Sequence, residues 1–492
     1  MVNKLKFSDL FSISRKKRSK QNEIQQNTAD VYWIQYVVGI IASLSMTISG
    51  LQLTWFGPAL VQLKDETLSP IHVVSSSESA WINSMLQLGA VPSPFLGSFL
   101  ANNIGRKNGL LLTTIPNIIS CLLIFFVQNI YMLYAARFIC GISVGIVFST
   151  LPVYLSEISS PKIRGIVATI GSLTLPVGTV GQFILFPLMT IQTNSLITLI
   201  LVIIQGIGTF FIPESPYFYI MKNKEKQVEK SLKILRRSDN VSNELLQLQK
   251  GWENENQIKD TSFFQIFKSK VNQRALIIIS VTMVCQQMSG PLVLLGYISA
   301  IYVDSKIPIS SYAGSILLIA SFAIATLSNA FFIDKCGRRP LFITSTILTG
   351  ICAILTGVYF FCEKLYTVEI VREYYLFLII TLTIYILSAG GLIALPYIFA
   401  SELFETKYRA TASSLLSVLG SILGFITIQA YEFIQDNFGR EYIFWYFGLV
   451  CILGTLFSIF WLPETKGKSF SEIQAEMNKT VNNSTDKNDD TV

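Results

Sequence analysis

The sequence predicts an all-α membrane protein, with twelve transmembrane helices arranged as two pseudo-symmetric six-helix bundles. Three observations carry that reading: the composition, an alternation of charge between apolar runs, and a set of motifs that occurs twice. Of 492 residues, 51% are hydrophobic and 14% are charged, whereas soluble domains carry about 25% charged residues. So few charges cannot cover a globular surface, which excludes an ordinary soluble enzyme, a disordered chain and a disulfide scaffold. The apolar runs are long and do not alternate with polar residues, so helices rather than barrel strands cross the bilayer.

A helix needs about 20 apolar residues to span the hydrocarbon. The polar stretch 1–31, with the basic cluster Arg15, Lys16, Lys17 and Arg18, precedes the first apolar run at 32–55. A turn with Lys64, Asp65 and Glu66 leads to 79–101, and a turn with Arg106 and Lys107 to 109–128. The neutral pair Gln128 and Asn129 separates that run from 131–152, and Lys162 and Arg164 precede 165–188. After a neutral turn at 190–194 comes 195–213, then the long polar segment 214–274, whose closely spaced opposite charges suit short surface helices. The second group runs 275–303, 312–333, 340–361, 374–399, 410–432 and 442–462. Lys335, Arg338, Arg339, Lys407, Arg409, Lys466 and Lys468 fall in alternate turns of this group. The other turns hold Asp304 with Lys306, the 363–373 loop, and Asp436 with Arg440. Lys and Arg thus gather on one side, together with both termini, and the positive-inside rule makes that side cytoplasmic. The formal charge of +7 is read the same way, not as a nucleic-acid surface. The domains expected are a tail at 1–31, bundles at 32–213 and 275–462, a cytoplasmic linker at 214–274 and a tail at 463–492.

The seven cysteines have no CxxC or Cys/His partner and read as small core hydrophobes. With a single histidine, His72, no metal site is expected, and no cofactor either. The N-x-S/T matches at 478–485 fall in the cytoplasmic tail, where glycosylation is not expected.

The two groups repeat one another. NNIGRK at 102–107 matches DKCGRR at 334–339. Pro152, Glu157 and Arg164 match Pro396, Glu402 and Arg409, and Pro213 with Glu214 matches Pro463 with Glu464. The offsets of 232, 245 and 250 residues each equal about half the chain. A duplicated unit in one orientation is the plan of a transporter whose halves rock about an axis along the membrane normal. Arg106, Arg164, Arg338 and Arg409 are expected to pair with Glu157, Glu214, Glu402 and Glu464 across the halves, as a gating network on the cytoplasmic side. Pairs made in one access state alone bias the equilibrium toward it.

The motifs resemble those of sugar porters of the major facilitator superfamily over nearly the whole chain. They are GRK at 105–107, ARFICGISVG at 136–145, PVYLSEISSPKIRG at 152–165 and PESPYF at 213–218, followed by QQMSG at 286–290, CGRRP at 336–340, PYIFASELF at 396–404 and PETKG at 463–467. The sequence is most similar to insect facilitated trehalose and glucose transporters. The resemblance implies a twelve-helix bundle, alternating access, a central sugar site, a plasma-membrane location and a monomer with a sugar and the lipid bilayer as its partners.

A sugar needs amides, hydroxyls and an aromatic face near the midplane. Helix breakers at Gly57 and Pro58, Gly145 and Pro152, Gly290 and Pro291, and Gly390, Gly391 and Pro396 point to spans 1, 4, 7 and 10 as the cavity walls. Candidate lining residues are Gln286, Gln287, Ser172, Thr174, Gln52 and Tyr397. The resemblance places Gln286 and Gln287 at the family's sugar-binding glutamines, Tyr397 at a tryptophan and Ser172 at a span-5 glutamine. Leu292 and Phe322 replace asparagines, and Gly420 and Ser421 replace an Asn-Trp pair, so the pocket departs from a glucose site. Span 1 has no Asp or Glu between Val31 and Leu63, where the family's proton symporters carry an acid, and Arg137 has no such partner. Facilitated diffusion of a hexose or trehalose is therefore expected. The alternatives are a non-transporting sugar sensor and a proton-coupled symporter of a sugar or polyol. No nucleophile–base set or phosphate-binding loop suggests an enzyme.

Overall fold

The computed structural model describes residues 32–65, 71, 75–257, 266–305, 310–366, 373–468 and 472–474. The basic cluster at 15–18 and the N-x-S/T matches at 478–485 lie outside these residues. All regular structure among the described residues is helical.

Among the described residues eleven helices are long and apolar enough to cross a membrane, including Tyr32–Leu63 (span 1), Arg106–Phe125 (span 3), Ile130–Ile158 (span 4), Arg164–Leu188 (span 5) and Ile191–Phe211 (span 6). Span 2 completes the first group as two pieces, Ser76–Ala90 and Ser93–Asn103, because Pro92 at the junction has no amide to donate. The second group comprises Lys270–Asp304 (span 7), Ser311–Cys336 (span 8), Arg338–Leu365 (span 9), Tyr375–Leu403 (span 10), Thr406–Asn437 (span 11) and Arg440–Trp461 (span 12). The chain is a twelve-helix membrane protein of two six-helix groups.

Side chains and close backbone approach fix the starts and crossings. Ser75 and Glu78 form a reciprocal capping box at span 2, Asn129 caps span 4 and Thr190 caps span 6. Spans 2 and 4 pack through Gly89 and Gly141. A methyl on either would lie 2.0 Å from a carbonyl of the other helix, so the backbones touch, as lipid-embedded helices do where dispersion replaces the hydrophobic drive.

The structure refines two readings: the breakers differ in effect among the four spans, and the cysteines are not all in the core. Spans 4 and 10 run unbroken through Pro152 and Pro396, whereas spans 1 and 7 are interrupted. Span 1 is interrupted at Trp55 alone, which keeps helical φ −53° and ψ −40°, and continues as Phe56–Leu63. Span 7 is broken at Ser289 and Gly290, where Gly290 takes φ +88° before Pro291–Asp304. The cysteine reading is the second: five are buried and Cys362 is half-buried, but Cys336 is exposed at the end of span 8.

Between spans 6 and 7 lie the short helices Pro216–Met221, Glu225–Arg236 and Ser242–Gln257. They attach to the first group. Arg236 Nη1 donates to Ile158 O at the end of span 4 (2.9 Å) and Nη2 to Glu244 Oε1 (2.7 Å), while Gln35 Nε2 donates to Leu235 O (3.3 Å).

Candidate functional site

At the basic end each half builds the same charge cluster. In the first half Arg106 lies 3.0 Å from Glu157, and Ser215 Oγ donates to Glu157 Oε2 at 2.5 Å. Glu214 accepts the amides of Lys107 and Ser215, both at 2.9 Å. In the second half Arg338 lies 3.0 Å from Glu402, and Thr465 Oγ1 donates to Glu402 Oε2 at 2.5 Å. Glu464 accepts the amides of Arg338 (3.1 Å) and Arg339 (3.2 Å). Glu214 and Glu464 therefore sit on the first amides of spans 3 and 9, where the helix dipole favours an anion.

Gly105 and Gly337 precede those helices with φ +111° and +93°. A methyl on them would lie 2.1 Å from a Glu214 oxygen and 2.8 Å from a Glu464 oxygen. The paired G-R-[KR] and P-E-[ST] motifs are thus one device, used twice. Both ion pairs lie within a half, not across the halves as the sequence suggested. Glu402 and Glu157 are the carboxylates engaged by arginine, and Glu214 and Glu464 serve as helix caps. Arg164 and Arg409 are exposed and make no ion pair among the described residues.

The two caps differ electrostatically. Burial pushes the Glu214 carboxyl above its ordinary range, against the lowering by the amides of Lys107, Ser215 and Asn108 and by Arg106. At Glu464 burial also opposes ionisation, but the amides of Lys466, Arg338, Arg339 and Thr465 outweigh it, so this carboxyl titrates below its ordinary range.

At the opposite end the halves close on one another. Gln429 Nε2 of span 11 donates to Ser84 Oγ of span 2 at 2.8 Å. Phe56 of span 1 meets Tyr297 of span 7 edge to face at 5.3 Å, and Trp81 of span 2 meets Phe425 of span 11 at 5.8 Å. A methyl on Gly57 would lie 3.0 Å from Leu295 O, so the restarted segments of spans 1 and 7 cross directly. The sequence reading missed this closure. Its signal was faint, a few aromatic and amide residues in otherwise apolar runs.

Gln286 and Gln287, near the break of span 7, are both buried, and the side-chain oxygen of each has no hydrogen-bond donor. Gln287 lies against span 11 at Gly420, where a methyl would be 3.3 Å from its Nε2 and 3.1 Å from Met283 Sδ. The glycine that replaces the expected asparagine therefore lets span 11 approach this amide closely. Tyr397 is 42% exposed, so its ring borders space that protein does not fill. Ser172 Oγ donates to Ala168 O (3.1 Å), Thr174 Oγ1 to Gly171 O (2.7 Å) and Ser421 Oγ to Ser417 O (3.0 Å), so these hydroxyls offer a ligand only acceptor capacity. Leu292 and Phe322 belong to the apolar core.

Gln52 lies elsewhere. It borders a small gap inside the first half with Trp55, Cys121, Gln182, Asn194 and Ser195, away from Gln286 and Gln287. Its carbonyl accepts from Arg137 Nη1 at 2.7 Å, and the guanidinium stands 5.4 Å over the Trp55 ring. Those are the partners of the buried Arg137, and neither is a carboxylate.

The family model described as "Sugar (and other) transporter" matches residues 15–477. The chain belongs to this family. It is 30% identical over 455 residues to a facilitated trehalose transporter homologue of Drosophila sechellia, covering 91% of this chain and 92% of that one. It is 29% identical over 464 residues to a facilitated trehalose transporter of Polypedilum vanderplanki, covering 92% and 90%. It superposes on the inward-open xylose transporter XylE of E. coli with a TM-score of 0.74 at 17% identity, over 90% of this chain and 99% of that one. The partially occluded inward-open form of XylE gives 0.72 at 17% identity, over 88% and 99%. These superpositions show the fold, and the family match with the relatives shows a membrane transporter, not an enzyme.

Proposed function

We propose that this transporter carries a hexose or trehalose by facilitated diffusion, as a monomer in the plasma membrane with both termini in the cytoplasm. The carrying observation is the pair of buried, unpartnered amide oxygens of Gln286 and Gln287. An unsatisfied amide in an apolar bundle is costly, and a hydroxyl-rich solute supplies the missing donors. The relatives named for trehalose support the disaccharide. Gly420 in place of an amide and the open space beside Tyr397 fit a solute larger than a pentose.

Alternating access accounts for the two ends. The halves touch at the end away from the basic turns, so the conformation is the one open toward the cytoplasm. In the opposite state the cytoplasmic ends approach, and the exposed Arg164 and Arg409 come within reach of the carboxylates of the other half. Uncoupled transport is favoured over proton symport because Arg137 is held by a carbonyl and an indole ring, with no acid in span 1 to exchange a proton.

Uptake of trehalose, glucose and a polyol panel in a hexose-uptake-deficient cell tests this reading. Gln287→Ala is expected to raise KM about tenfold, the loss of one ligand hydrogen bond, at normal surface expression. Unchanged kinetics would remove Gln287 from the site.

A further inference from the structure

The interrupted helices of the two halves are each held at the break by one buried donor from a neighbouring continuous helix. In the second half, span 7 stops at Met288 and its next segment starts from Gly290, whose carbonyl accepts the amide of Leu294. Gly290, at φ +88°, is the N-cap of that segment, so the carbonyl of Ser289 lies between two helical ladders. The hydroxyl of Tyr385 on span 10 donates to it. Tyr385 is fully buried, and so is Ser289.

In the first half the helical ladder of span 1 is interrupted at Trp55 alone, which keeps helical φ −53° and ψ −40°, and Pro58 cannot donate back to Thr54. Here Arg137 on span 4 donates to the carbonyl of Gln52 at 2.7 Å and lays its guanidinium over Trp55 itself. Spans 1 and 7 occupy equivalent places in the duplicated unit, as do spans 4 and 10. Counted back from Pro152 and Pro396, the two donors differ by four residues, about one helical turn. The chemistry differs, a cation in one half and a phenol in the other, while the task is the same.

The segments beyond the breaks are the ones that close the outer end. Gly57 meets Leu295 O, and Phe56 meets Tyr297. Spans 4 and 10 themselves run as unbroken helices through their prolines. Each half therefore combines a continuous post with a jointed arm, and the donor joins the two at the joint.

We infer that Tyr385 and Arg137 are positioning residues for transport: each pins the joint of its half, so that the outer segments 56–63 and 291–304 swing as defined arms. The inference rests on the rocking of two halves and not on the identity of the solute. Without the pin, the freed carbonyl seeks water or a helical amide, and the arm samples several orientations.

The test uses the full chain with Cys336→Ser and Cys362→Ser, spin-labelled at Lys64→Cys and Val303→Cys near the tips of the two arms. Electron–electron distance distributions are recorded with and without trehalose. The parent should show a short and a long distance, the short one narrow. Tyr385→Phe removes only the hydroxyl and should widen the short component about twofold, with an about fivefold fall in Vmax and KM nearly unchanged. Arg137→Met should do the same, and Arg137→Lys, which keeps a donor and the charge, should restore the narrow distribution. Thr356→Val removes another buried hydroxyl, one that donates to Cys352 O within span 9 and meets Thr381 Oγ1 on span 10 away from either interruption, and serves as the control that should change neither readout.

If Tyr385→Phe folds and leaves width and Vmax as in the parent, or matches Thr356→Val, the inference is overturned. Should Arg137→Met fail to fold, Tyr385→Phe decides alone. A parent with one distance under all conditions would overturn both the pins and the rocking reading. A parent with two distances and unaltered variants would overturn the pins alone.

Discussion

Gly105 and Gly337 show how much a single backbone position determines at the basic end. Both hold positive φ, and both leave room for the carboxylate that caps the following helix. Gly105→Ala adds a methyl to a disfavoured conformation and drives it into Glu214. A loss of about 1–3 kcal/mol is expected, read as a lower melting temperature in detergent, with Gly337→Ala close behind because its contact is longer. The two capping acids respond oppositely to pH. Glu464 titrates below its ordinary range, so it stabilises the fold at neutral pH and loses that contribution as the pH falls through its lowered value. The destabilisation by Glu464→Gln should therefore be full at pH 7 and shrink when melting is repeated at a pH below that lowered value. Glu214 is raised by burial, so its ionisation opposes the fold and its contribution declines as pH rises above the ordinary carboxylate range. Glu214→Gln should accordingly cost less at pH 7 than Glu464→Gln, and melting curves of both variants at the two pH values check the order.

Among the elements, the linker helix Glu225–Arg236 is fastened at its C-terminal end by Arg236, which bridges Ile158 O and Glu244. Arg236→Ala removes these charge-assisted bonds. Amide exchange in that helix should accelerate about tenfold while spans 1–6 keep their protection, as measured by hydrogen exchange. The spans were legible in the sequence because an apolar run long enough to cross a bilayer has few other uses, and their ends followed from charged turns. Pairing was less legible. Arg106, Glu157, Arg338 and Glu402 stood out by repetition, but spacing along the chain could not say that each arginine closes on a carboxylate of its own half. Breakers were partly legible: Gly57 with Pro58 and Gly290 with Pro291 fall at the interruptions of spans 1 and 7, whereas spans 4 and 10 run as unbroken helices through Pro152 and Pro396. Gln286 and Gln287 were visible as adjacent amides in an apolar run. Gln52 looked alike on paper and faces the interior of its own half, because the rotation of a helix about its axis is set by packing. Tyr385 and the outer closure around Tyr297 and Phe56 left no local mark, since aromatic residues are common in such spans.

At the scale of the whole molecule, two copies of one six-helix unit touch at the end away from their basic turns. Each copy keeps its charge cluster to itself, and the second holds two buried amide oxygens with no partner among the described residues. That arrangement suits a carrier that exposes one pocket to either side in turn, with no ion to drive it. The most direct measurement is radiolabelled counterflow in proteoliposomes loaded with unlabelled trehalose, with a protonophore present throughout. The account predicts a transient accumulation of label above its outside concentration, undiminished by the protonophore. A protein that binds the sugar but shows no counterflow, or counterflow that needs an imposed proton gradient, would contradict it.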